Sequence, residues 1–156
     1  MIFRMGKGHI FMRSQWFQKF DRVFIEKMRR WGIPALRVAL GVVFLWFGAL
    51  KVFGVSPVVD LVRETYSFLP TDTFVMVLGV WEALIGLGLI FKKCLRCTLA
   101  LLWLQMLGTL AAPLFAPAMF FSGGNPFLLT VEGEFVVKNL VLVAAGLVIG
   151  GHEVKK

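Results

Sequence analysis

Four long apolar stretches occupy most of this chain of 156 residues, at positions 34–53, 73–91, 98–121 and 135–151. They read PALRVALGVVFLWFGALKVF, TFVMVLGVWEALIGLGLIF, TLALLWLQMLGTLAAPLFAPAMFF and FVVKNLVLVAAGLVIGG. A helix needs ~20 mostly apolar residues to cross a hydrocarbon core ~30 Å thick. Each stretch approaches that length, and the fourth, the shortest, fits with snorkelling or local thinning of the bilayer. Too little chain is left over for a water-soluble core. Charged residues make up 17% of the chain, against ~25% in a typical soluble domain. The sequence therefore predicts an all-α polytopic membrane protein, a bundle of four transmembrane helices.

Glycines at 41, 48, 79, 86, 88, 108, 146 and 150 fall inside these stretches. They would weaken soluble helices, but in a bilayer small residues let helices pack closely. Positions 146–150, GLVIG, also match the GxxxG pattern of such contacts.

The basic residues predict the orientation. Arg4, Lys7, Arg13, Lys19, Arg22, Lys27, Arg29 and Arg30 precede the first stretch, Lys92, Lys93 and Arg96 follow the second, and Lys155 and Lys156 end the chain. The two connections on the other side carry only Arg63. By the positive-inside rule both termini lie in the cytoplasm of a multi-pass protein. The net charge of +8 is then orientation signal and contact with anionic lipid, with no nucleic acid needed to explain it.

Residues 1–33 form a basic tail without the apolar core of a signal peptide. Within it, Phe17, Phe20, Phe24, Met28 and Trp31 share one helical face between basic residues. This predicts an amphipathic helix over 10–31 lying in the membrane interface. The connection after the first span contains SPVVDLVRETYSFLP. Ser56 as N-cap, Pro57 at the first helical position and the spacing of Val58, Leu61, Val62, Thr65 and Leu69 predict a short helix over the outer mouth of the bundle. Residues 152–156 form a short cytoplasmic tail.

Glu82 sits near the middle of the second span. A lone charge at that depth costs on the order of 2.5–3.5 kcal/mol, so it should face the bundle and find a partner. Candidate partners lie in every other span. Arg37 and Lys51 stand near the two ends of the first, Gln105 near mid-depth in the third, and Lys138 and Asn139 early in the fourth, just after Glu134. With a rise of ~1.5 Å per residue, Gln105 meets Glu82 at its own level, whereas the outer lysines and Arg37 start ~10 Å away. The expected site is a polar pocket open to the outside, with Glu82 at its floor and Lys51, Lys138 and Asn139 on its walls. Glu82 and Lys138 are the candidate catalytic residues; Arg37, Lys51, Gln105 and Asn139 are the candidate substrate-binding residues. Snorkelling of Lys51 or Arg37, an interfacial anchor at Lys138–Asn139, and a structural clamp at Glu82 stand beside this reading.

At these residues the chain resembles the DoxX family of small bacterial membrane proteins. The resemblance rests on LRVALGVVFLWFGALKVF, GVWEALIGLGLIF and GEFVVKNLVLVAAGLVIG, which carry Arg37, Gly48 with Lys51, Gly79 with Glu82 and Gly86, and Lys138 with Asn139. It implies a four-helix fold over about residues 34–151 and a shared polar site. The family is named for a subunit of a thiosulfate:quinone oxidoreductase, and other relatives are tied to oxidative-stress resistance. Nothing in these residues reports thiosulfate.

Cys94 and Cys97 form CLRC between Lys93 and Thr98. The pair reads as two incidental thiols, a redox couple or half of a metal site, although only His9 and His152 are available to complete the last. No metal is expected. Three functions stay open: a quinone-linked redox subunit dependent on a partner, a carrier for a small anion or proton working as an oligomer, and a non-enzymatic scaffold subunit. In the first, Trp46, Phe47, Trp81 and Trp103 are candidates to flank a quinone ring.

Overall fold

The computed structural model describes residues 7–66 and 70–154, with side chains from residue 16 onward. Six α-helices make up the described chain: α1 (Lys7–Val52), α2 (Val59–Thr65), α3 (Thr71–Phe91), α4 (Leu95–Phe115), α5 (Pro117–Phe120) and α6 (Val131–Glu153). A single isolated bridge joins Phe121 to Leu129, and no strand is present among the described residues. Four helices are long and apolar enough to cross a membrane, those containing 16–52, 71–91, 95–115 and 131–153.

The packing is that of a protein whose solvent is apolar. Trp46, Leu84, Leu107, Val141 and Leu147 are all exposed on the long helices. The interior seam instead carries glycine and polar groups. On α1, positions 37, 41, 44, 48 and 51 step alternately by four and three residues, and on α3 so do 75, 79, 82, 86 and 89. This is the spacing of one helical stripe held against a neighbour. Gly41, Phe44 and Gly48 are buried on the first stripe, and Val75, Gly79, Glu82, Gly86 and Leu89 on the second.

The glycines set the distance between the two helices. A Cβ on Gly48 would stand 2.6 Å from Ala83 N and Gly79 O; one on Gly86 would stand 2.5 Å from Leu45 N. Backbone therefore meets backbone, which no side chain at these positions would allow. Leu99, Leu102, Met106, Ala145 and Ile149 continue the core between α4 and α6.

The ends of the elements depart from the sequence reading in three places. The first is the N-terminus of α1. The segment 10–31 is helical as expected, but it is not a separate helix: α1 runs on through Gly32, Ile33 and Pro34. Proline in a helix interior removes one hydrogen bond donor without obliging the chain to stop. The contacts divide the chain after Ala35, the first unit being this helical segment and the second the bundle from Leu36. In the first unit Trp16, Phe17, Phe20, Phe24, Met28 and Trp31 are all exposed.

The second departure is α2, which begins at Val59 rather than Pro57. Ser56 does not cap it: its hydroxyl only accepts a long 3.5 Å contact from Val58 N. Leu69, assigned to this helix from the sequence, lies outside the described residues, as do Arg4, Lys155 and Lys156.

The third concerns the last two spans. The third span ends at Phe115, with α5 a separate turn after Ala116, instead of running to 121. The fourth is longer than expected, 23 residues from Val131. Thr130 caps it, its hydroxyl accepting from Gly133 N at 3.1 Å, and Glu132 and Glu134 lie in its first turn, where the helix dipole favours negative charge. At ~1.5 Å per residue this helix crosses the hydrocarbon without thinning it.

Candidate functional site

The alternating stripe on α1 ends at Lys51, one turn beyond Gly48. Its stem lies over Gly79, where a Cβ would approach Lys51 Cβ to 2.8 Å. The missing side chain at Gly79 thus leaves a channel along which the lysine runs toward mid-depth. Lys51 Nζ reaches Glu82 Oε2 at 2.5 Å, with the two side chains only 9% and 12% exposed. From α4, Gln105 Nε2 donates to the other carboxylate oxygen, Oε1, also at 2.5 Å. Both oxygens of Glu82 are occupied, one by charge and one by an amide.

A carboxylate accepts only, so facing Glu82 Oε1 fixes the amide of Gln105 with its nitrogen inward. Gln105 Oε1 is then buried without a hydrogen-bond partner among the described residues.

This cluster forms one wall of a partly open cavity of about 520 Å³ within the bundle. Phe44, Phe47, Phe74, Trp81, Phe120 and Phe135 supply most of its aromatic surface, and Asn139 is a second polar group on it. Leu61, Val62 and Thr65 line it from α2 and Val58 from just before that helix, so the short helix lies against the cavity as its apolar spacing suggested. Tyr66 ties that helix down, its hydroxyl donating to Gly108 O at 3.0 Å and its ring packing on Phe74 and Phe115. Burial pushes the Tyr66 phenol up from its ordinary value, which keeps it a neutral donor.

Two of the residues assigned to the site from sequence lie elsewhere. Lys138 does not stand on the cavity wall. Its side chain is 71% exposed and pairs with Glu134, one turn back on α6, at 3.2 Å. Asn139, its neighbour, faces the cavity because consecutive helical residues point ~100° apart. Arg37 belongs to a second cluster, at the end of the bundle that holds the C-terminus of α3. It donates from Nη1 to Leu89 O and Ile90 O, carbonyls in the last turn of α3. Its Nε stands 2.7 Å from Glu153 Oε2, an ion pair without hydrogen-bond alignment, and Lys92 Nζ reaches the same oxygen at 3.4 Å. Arg37 therefore clamps α1, α3 and α6 together and takes no part in lining the cavity.

The expected ring-flanking aromatics divide in the same way. Phe47 and Trp81 line the cavity. Trp46 is 64% exposed on the outside of the bundle. Trp103 packs toward Gly146, where its Nε1 is buried without a partner. Phe74, Phe120 and Phe135 escaped the sequence reading, because a phenylalanine in an apolar run carries no signal of which way it faces.

Four membrane-crossing helices around an apolar cavity, with a buried ion pair at its wall, define a small polytopic membrane protein. The DoxX family model matches residues 32–116, more than half of the chain, and the protein belongs to that family. The matched stretch contains Arg37, Lys51, Glu82 and Gln105; α6, with Lys138 and Asn139, lies beyond it. No curated protein and no solved structure matches the chain.

Proposed function

We propose that this protein is a quinone-binding redox subunit of a bacterial plasma membrane, with both termini in the cytoplasm and its cationic segments against anionic lipid. The observation that carries the reading is the apolar, aromatic-walled cavity of about 520 Å³ that meets a neutralised polar cluster. That volume is within the ~300–1,000 Å³ of ordinary small-molecule sites. A quinone is flat, uncharged and apolar apart from oxygens that accept hydrogen bonds. Lys51 has N–H donors beyond the one turned to Glu82, and Asn139 offers an amide. Lys51, the ammonium of the pair, is the group to supply a proton as the ring is reduced, Glu82 holds it at the cavity wall, and Gln105 holds the carboxylate. The electrons come from a partner subunit, bound directly or within an oligomer.

A carrier for small anions is less well served. The charge of Lys51 is offset at 2.5 Å by Glu82, and Lys138 stands outside the cavity beside Glu134. A pure scaffold would not need a cavity of this size beside its polar clamp.

The test is the quinone content of the protein purified in mild detergent. Near-stoichiometric quinone is expected in the native chain. It should be lost in Glu82→Gln and kept in Lys138→Met. Content no higher than the detergent background in the native chain would overturn the reading.

A further inference from the structure

The turn between α3 and α4 carries chemistry that the cavity does not use. Lys92 and Cys94 both adopt left-handed backbone there, with φ of 55° and 43°. Side chains seldom take that conformation, so the turn must be held by its surroundings. Lys93 N donates to Gly88 O at 3.0 Å, and Thr98 Oγ1 donates to Lys93 O at 3.1 Å and to Cys94 O at 3.3 Å. A Cβ on Gly88 would run into the Thr98 side chain, so that glycine is what lets the threonine sit there. Lys92 also reaches Glu153, which joins the turn to the Arg37 clamp.

On this rigid base stand two cysteines. Cys94 is the N-cap of α4, and its carbonyl accepts from Thr98 N at 3.0 Å, closing the first helical turn. Cys97 is the third residue of that turn. Both are free and exposed. Cα atoms three residues apart on a helix are ~5 Å apart, within the ~4.4–6.8 Å that a disulfide accepts. The backbone spacing of the pair thus permits a bridge within one turn.

We propose that Cys94 and Cys97 are a reversible dithiol switch, closed by hydroperoxides. One thiolate sulfur attacks the peroxide O–O bond, becoming a sulfenic acid as the other oxygen leaves and takes up a proton, giving water from hydrogen peroxide or an alcohol from an organic hydroperoxide. The second thiol sulfur then displaces the sulfenic hydroxyl, forming the S–S bond and releasing water. Two electrons pass from the two sulfurs to the peroxide, and a dithiol reductant reverses the step. The disulfide locks the turn that links α3, α4 and the Arg37–Glu153 clamp.

The test uses the full chain in detergent, treated briefly with hydrogen peroxide and then with a maleimide polymer. Two adducts per chain are expected before peroxide, none after it, and two again after dithiothreitol, with the protein monomeric on a denaturing gel. Intact mass should fall by two hydrogens. In Cys94→Ser and Cys97→Ser, each measured alone, that mass loss should vanish. Thiols that stay reactive after peroxide, a gain of oxygen in the native chain that dithiothreitol does not remove, or covalent dimers would each overturn the proposal.

Discussion

Glu82 is the residue on which the interior turns. In a bilayer it cannot be left alone, and it has two partners from two other helices, Lys51 and Gln105. Burying the pair is costly to both charges, so removing one member harms more than removing both. Breaking a buried ion pair typically costs about 3–5 kcal/mol, whereas an apolar replacement of both partners is often close to neutral. Lys51→Met and Glu82→Leu should each lower stability by about that amount, and the double variant should recover most of it. Unfolding in detergent, followed by circular dichroism across the four forms, checks this. Additive losses would mean that the two side chains do not act as a pair.

Depth along a helix was enough to bring Gln105 to Glu82, because position in an apolar run translates directly into distance from the membrane surface. Rotation about the helix was not legible for the fourth span. Lys138 and Asn139 are adjacent in sequence and were placed together, yet one lies on the outside and the other on the cavity. Arg37 has the same lesson. Its charge suggested a ligand, while carbonyls in the last turn of α3 took its donors instead.

At the scale of elements, the contact between α1 and α3 depends on four glycines, Gly41, Gly48, Gly79 and Gly86. Their spacing of seven within each helix was visible in the sequence, and so was the need for close packing. That the two pairs oppose each other, and that Gly79 makes room for the stem of Lys51, follows from the register of antiparallel helices. Gly48→Ala and Gly86→Ala put a Cβ against backbone at 2.5–2.6 Å, where no rotamer change relieves it. Each should cost about 1–3 kcal/mol. Gly108→Ala, with nothing within 4 Å of its Cβ, should stay within about 0.5 kcal/mol. Thermal unfolding of the three variants in detergent is the measurement; equal losses at all three positions would remove the glycine contact from the account. The helix ends were less legible, because a cap such as Thr130 competes with several neighbouring candidates and only the folded turn selects one.

For the whole molecule, the distribution of Lys and Arg predicts which face of the bundle meets the cytoplasm. The turn holding Cys94 and Cys97 lies at the end of the bundle with Arg37 and Glu153, so the two thiols report orientation. A maleimide that does not cross membranes should label them in inverted vesicles and leave them untouched in intact spheroplasts. Labelling in spheroplasts would reverse the proposed topology.

The sequence by itself determined the solvent of this protein, the number of its long helices and the presence of an ionisable residue at mid-depth. Each of these is a sum over neighbouring residues, because partition into a bilayer adds along the chain. Only the tertiary structure decided that Lys51 and Gln105 share Glu82, that Arg37 closes the far end, that Lys138 stays outside, and that a cavity of about 520 Å³ lies between them. Those outcomes depend on the rotation and register of helices against one another, and a shift of one residue, ~100° on a helix, turns a wall of the cavity into its outer surface.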